Sequence, residues 1–105
     1  MELKENDYAM WLFNVPTIGN VNVDRLLCGG LSCRDIYEMS SKELSKHLTH
    51  KQVLSVEKTR ALWDFELERK KLEDKGIRFV PRIDEEFPEK LKNIPNAPFA
   101  IYVKG

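Results

Sequence analysis

Four residues stand in the order of a zinc-finger ligand set: Cys28, Cys33, His47 and His50, separated by four, thirteen and two residues. A tetrahedral site of two cysteines and two histidines places about three to five residues between its histidines, so that both imidazoles reach one ion. A gap of two falls short, and Cys28 already has a place on the apolar side of a helix. The set reads as packing thiols and polar surface histidines, so no metal is expected. Asp84, Glu85 and Glu86 are adjacent carboxylates with no paired base and no ligand spacing elsewhere to complete a site, and they read as solvated. Ser40 and Ser41 lack the glycine-rich turn that presents a nucleophilic serine, and helix capping explains them better. No catalytic residue is assigned, no cofactor is implied, and the chain is read as not an enzyme.

The run Thr17, Ile18, Gly19, Asn20 and Val21 offers a different chemistry. In a helix-hairpin-helix, the hairpin N–H groups and the first turn of the next helix present donors and a positive dipole end to a DNA phosphate. Such a contact gains affinity from counterion release and needs cationic neighbours. Residues 1–30 hold two cations, Lys4 and Arg25, against Glu2, Glu5, Asp7 and Asp24. That balance favours a purely structural hairpin, with a weak phosphate contact as the alternative. Arg69, Lys70, Lys71 and Lys75 form a second basic cluster, but Glu66, Glu68, Glu73 and Asp74 interleave with it. A solvated helix end, where cations complement the dipole, accounts for it.

All these residues depend on the elements that carry them. Residues 7–13 include Ala9, Met10, Trp11, Leu12 and Phe13, a density of apolar side chains that predicts a short buried helix ending near Pro16. Pro16 disfavours helix at Val15, and the turn that follows contains Gly19, able to take positive φ. A second helix is predicted over residues 22–28, closed by Gly29 and Gly30.

Three hydroxyl residues then precede an acceptor by three positions: Ser32 before Asp35, Ser40 before Glu43, and Thr49 before Gln52. They predict three further helix starts as capping boxes, the Glu and Gln pairs fitting best and Asp35 less well. The last opens residues 50–75, a stretch without proline or glycine that Gly76 closes. One helix about 39 Å long is predicted there. Leu54, Ala61, Phe65 and Leu72 fall on one line of that helix, whereas Val56, Trp63 and Leu67 fall on another about 160° away. One neighbour cannot cover both lines. The small helices are expected on one side and the C-terminal segment on the other, or else Val56, Trp63 and Leu67 form a partner surface.

After Gly76 the pattern changes. Ile77, Phe79 and Val80 predict a strand, residues 81–88 a loop, residues 89–93 a helical turn and residues 99–103 a second strand. The expected division is a helical domain over residues 1–75 and a strand-bearing segment over residues 76–105. Two short strands are rarely stable alone, so residues 77–105 are predicted to fold back onto the long helix, to self-associate with another copy, or to be partly mobile.

Composition bounds the rest. Of 105 residues, 42% are apolar, enough for a modest core. Lys plus Arg number 17 and Asp plus Glu 17, so no strong overall field draws in nucleic acid or an anionic membrane. No apolar run approaches a membrane span, and the polar, acidic N-terminus is unlike a secretory signal. Two cysteines are too few for a disulfide framework. A cytoplasmic protein is the expectation.

The order Gly76-Ile77-Arg78, Asp84-Glu85-Glu86-Phe87-Pro88, Leu91, Ile94-Pro95, Pro98 and Tyr102-Val103-Lys104-Gly105 resembles the entry into the Rossmann-like domain of the bacterial DNA-processing DprA/Smf family. Phe87 stands where that family usually has tyrosine, keeping the ring and losing the hydroxyl. Upstream, Trp11-Leu12, Pro16-Thr17-Ile18-Gly19 and Leu26-Leu27 resemble the family's N-terminal helix-hairpin-helix or SAM-like segment, less specifically. Thr17 replaces a common glycine, and Val21 another small or turn residue, which makes the hairpin degenerate.

The resemblance implies a mainly α fold: a small SAM-like/helix-hairpin-helix bundle with a long C-terminal helix, followed by two short β-strands from the edge of a truncated Rossmann-like α/β domain. It also implies a full-length protein that binds single-stranded DNA and loads the RecA recombinase in natural transformation and recombination. The family's phosphate-binding Gly-Ser-Arg signature lies beyond the last glycine seen here. The present chain is accordingly expected to be an accessory scaffold or partner-contact domain.

Overall fold

The computed structural model describes residues 3–93 and 98–104, leaving out the side chains of Asn20 and Val21. Helix α1 (Glu5–Phe13) is the hub. Asp7 to Leu12 are all buried on it, so it is covered on every side, as its apolar density predicts. Its start is fixed by the carboxylate of Asp7, which accepts from the Lys4 N–H at 2.8 Å. It stops at Asn14, ahead of Pro16.

The turn after α1 differs from expectation in one respect. Thr17, not Gly19, takes the left-handed conformation, with φ 72°, while Gly19 is extended at φ −98° and ψ 178°. Helix α2 (Asn20–Cys28) follows, starting two residues earlier than predicted. Gly29 and Gly30 end it, and Gly30 adopts φ 93°, which a residue with a Cβ rarely takes. Val23 and Leu26 are its buried positions, whereas Cys28 is exposed and does not pack as expected.

All three capping signals open helices: α3 (Cys33–Glu38), α4 (Ser41–Leu44) and α5 (His50–Leu62). Their ranking differs from expectation. The Ser32–Asp35 and Thr49–Gln52 boxes close in both directions, whereas at Ser40 only the hydroxyl accepts, from the Glu43 N–H. Arg60 of α5 reaches back to the carbonyls of Tyr37 and Met39, at 2.7 and 2.8 Å, and so satisfies the end of α3.

The single long helix of residues 50–75 is not formed. The chain is extended at Trp63 and Asp64, and a separate helix α6 (Phe65–Asp74) begins there. Asp64 caps it by accepting the Leu67 N–H at 3.0 Å. The break lets Phe65 turn inward, where its ring lies 5.3 Å from Tyr8 and 5.2 Å from Tyr37. Residues 50–75 contain no glycine or proline to force a break, so tertiary packing decides where the helix is interrupted, at the weaker helix formers Trp63, Asp64 and Phe65.

Gly76, with φ 65°, turns the chain into strand β1 (Ile77–Pro81). The short helix α7 (Glu89–Lys92) and strand β2 (Ala100–Lys104) follow. The strands pair with each other antiparallel, in a register setting Phe79 opposite Tyr102 and Pro81 opposite Ala100. Phe99 and Ala100 join the same buried cluster as Trp11, Leu12, Ile36 and Val56. Gly76 thus marks a change of element. Of the three expected fates of residues 77–105, the described part follows the first, packing back mainly onto α1 and α6. None of the described helices is long and apolar enough to cross a membrane.

Candidate functional site

Thr17 is tied down from α5: its carbonyl accepts from Gln52 Nε2 at 3.2 Å, and its hydroxyl donates to Ser55 at 3.2 Å. Gln52 therefore serves both its own capping box and the hairpin. Ile18 packs against the core, and Gly19 is the N-cap of α2, with no side-chain cap. Asn20 and Val21 open the helix; their side chains lie outside the described ones. The first N–H groups of α2 thus have no side-chain cap at Gly19. The electrostatics there are less favourable. Arg25 donates to the His47 carbonyl at 2.7 Å, and Arg82 is ion-paired with Asp24. Two of the nearby cations are engaged within the fold, leaving less charge for counterion release.

The second basic cluster is also partly structural. Arg69 forms an ion pair with Asp7, whose side chain is largely buried, and Lys71 pairs with Glu68 at 2.8 Å. Asp7 is both the return partner of the α1 N-terminus and the anchor of α6. Sequence reasoning treated the two residues separately, because 62 positions divide them and no local periodicity links them.

Val56, Trp63 and Leu67 do not make one exposed apolar patch. Val56 is 0% exposed within the core, Trp63 is packed partly against it, and Leu67 alone is open, at 49%. The break after Leu62 rotates α6 relative to α5, so the straight-helix lines no longer apply. Leu54, assigned to the other line, is exposed as well.

Cys28, Cys33, His47 and His50 do not converge, and no group of three metal-ligating side chains occurs among the described residues. Cys33 is buried, and its N–H donates to the Glu5 carboxylate at 2.5 Å. Burial, with the Glu5 carboxylate adding to it, pushes the Cys33 thiol up to about 12. It is an unreactive packing group.

Asp84 is not simply solvated as expected. It accepts from the Glu86 N–H at 2.8 Å and from Asn6 Nδ2 at 2.5 Å, and these bonds, the first foremost, hold its carboxyl below the ordinary range. Glu86 pairs with Arg78 at 2.5 Å. A cleft of about 310 Å³ opens here, lined by Asp7, Met10, Arg69, Leu72, Phe79 and Asp84 among others. Its principal polar groups are engaged with one another across α1, α6, β1 and the loop of residues 82–87. That makes the cleft a seam between the two halves of the chain.

A cluster missed in the sequence joins Phe13, Phe79 and Tyr102, with ring centroids 5.3 to 5.9 Å apart. Phe13 and Tyr102 are both partly open to solvent, and Asn14 donates to the Tyr102 hydroxyl at 3.3 Å. Only the cross-strand pairing of residues 79 and 102 could have hinted at it. Comparison with protein-family models, with curated proteins and with solved structures gives no match.

Proposed function

We propose that this chain is the N-terminal portion of a DNA-processing protein of the DprA/Smf kind, acting in natural transformation and recombination as an accessory scaffold or partner-contact domain. In this reading, single-stranded DNA binding and RecA loading belong to the full-length protein in the cytoplasm. The supporting observation is that the residues carrying the resemblance have structural reasons to be the types they are. Gly76 takes positive φ at the entry to β1, Asp84 caps the loop, Phe87 is buried and Pro88 is the N-cap of α7. Ile94, Pro95 and Gly105 of the same pattern lie outside the described residues. A buried ring at 87 is also why phenylalanine can stand where tyrosine is usual, since the position calls for apolar volume.

The antiparallel β1–β2 pair is not the parallel unit of a Rossmann sheet, but a mixed sheet often carries an antiparallel strand at its edge. The SAM-like and Rossmann-like descriptions belong to this proposal. The alternative, an autonomous helix-hairpin-helix module, is favoured by the α2 N-terminus having no side-chain cap and opposed by the engagement of Arg25 and Arg82.

Fluorescence anisotropy of labelled single-stranded DNA at low salt separates the two readings. The accessory reading expects no binding up to high micromolar chain. Salt-sensitive binding that Arg25→Glu abolishes would establish the autonomous module instead. In the producing bacterium, deleting the segment is expected to lower transformation frequency, and an unchanged frequency would count against the proposal.

A further inference from the structure

The break between α5 and α6 sets local preference against packing. Residues 50–74 contain neither glycine nor proline, yet Trp63 (φ −78°, ψ 127°) and Asp64 (φ −114°, ψ 103°) are extended. No backbone cap closes α5 at Trp63, whereas the Lys75 N–H closes α6 on Leu72 at 3.2 Å. The Trp63 Nε1 is buried without a hydrogen-bond partner, a cost borne by this conformation. Neither residue is a helix breaker: Asp64 favours the cap it provides to α6, but a continuous helix remains open to both.

What holds the hinge open is a set of contacts joining residues before it to residues after it. Phe65 lies among Tyr8 and Tyr37, Arg69 pairs with Asp7, Asn6 bonds Asp84, Phe13 meets Phe79 and Tyr102, and Arg82 pairs with Asp24. None of these contacts depends on both halves belonging to one copy.

We propose that the chain exchanges residues 65–104 between two copies, forming a dimer in which α5 and α6 fuse into one continuous helix. A continuous helix would carry residues 65–104 away from their own α1, and a second copy offers the same Asp7, Tyr8, Phe13 and Asp24 to receive them. The exchange needs no new side-chain complementarity and completes helical hydrogen bonds across the hinge. A two-residue hinge held against its local preference is the circumstance that invites such an exchange. The partner is therefore a second copy of this chain, independently of the family resemblance.

Size-exclusion chromatography with light scattering, from micromolar to millimolar chain, is expected to show a concentration-dependent dimer. Asp64→Ala removes the α6 cap and raises helix propensity at an exposed position, so it leaves the core intact. It is expected to shift the equilibrium toward dimer about tenfold or more, since two hinges change per dimer. Inserting Gly-Ser-Gly between Trp63 and Asp64 should restore the monomer.

Charge reversal distinguishes an exchange from simple association. Asp7→Arg and Arg69→Asp each place like charges together in a closed monomer, but a mixture of the two chains restores both ion pairs only in an exchanged heterodimer. Preferential heterodimer from that mixture is the expected result. An Asp64→Ala chain that stays monomeric at millimolar concentration, or an Asp64→Ala dimer with no preference for the mixed pair, would overturn the proposal.

Discussion

At the scale of single residues, Thr17, Cys33 and Asp84 carry the clearest consequences. A β-branched residue in the left-handed region is strained, and the hydroxyl bond to Ser55 is exposed and contributes little. Thr17→Gly is therefore expected to stabilise the chain by about 0.5–1 kcal/mol, read as a rise in the urea midpoint. Cys33 holds its proton far above the ordinary value of 9.0, so it should resist a thiol reagent at pH 8 while the exposed Cys28 reacts. The unfolded chain loses that thiol proton first, so Cys33 makes stability decline as pH climbs past 9. Asp84 has the opposite sign. Its folded value lies below the ordinary 3.8, so its contribution is present above that pH and is lost as pH falls through the folded value. Asp84→Asn should flatten this acid limb in urea titrations as pH falls below 5, by less than about 1 kcal/mol because solvent screens its two hydrogen bonds.

At the scale of elements, the boundaries written in local chemistry were readable. Ser32, Ser40 and Thr49 each open a helix, and Gly29, Gly30 and Gly76 each end one. Ser32→Ala, which loses the hydroxyl that accepts from the Asp35 N–H but keeps the backbone N–H that donates to the Asp35 carboxylate, is expected to cost about 1 kcal/mol. Ser40→Ala likewise loses one bond, the one its hydroxyl accepts from the Glu43 N–H, and should cost about the same; a pair of thermal melts checks that the two agree. The α5–α6 break was not readable. Asp64 lies within an otherwise unbroken run of helix formers, and the gain that makes it a cap comes from Phe65 and Arg69 reaching α1. The candidate surface of Val56, Trp63 and Leu67 fell with the straight helix that defined it.

At the scale of the whole molecule, one buried cluster holds residues from both sides of Gly76. Phe99, fully buried with Trp11 and Leu12, ties β2 to the helices. Phe99→Ala is expected to cost about 3–5 kcal/mol by denaturant unfolding, comparable to a central helical residue. A strand segment folding separately would lose only its own signal and leave the far-ultraviolet helix transition in place.

Composition and short motifs by themselves determined the helical character, most of the caps and turns, and the two strands, because capping, glycine conformation and side-chain alternation act over a few residues. They also argued against a zinc site, through a histidine spacing that no folding event can alter. Only the tertiary structure decided that residues 50–74 bend, that Asp7 and Arg69 pair, that Asp84 reaches Asn6 and that the aromatic rings of α1, β1 and β2 meet. Those outcomes join side chains distant along the chain, and their energies arise from burial and pairing that exist only once the two halves have closed on each other.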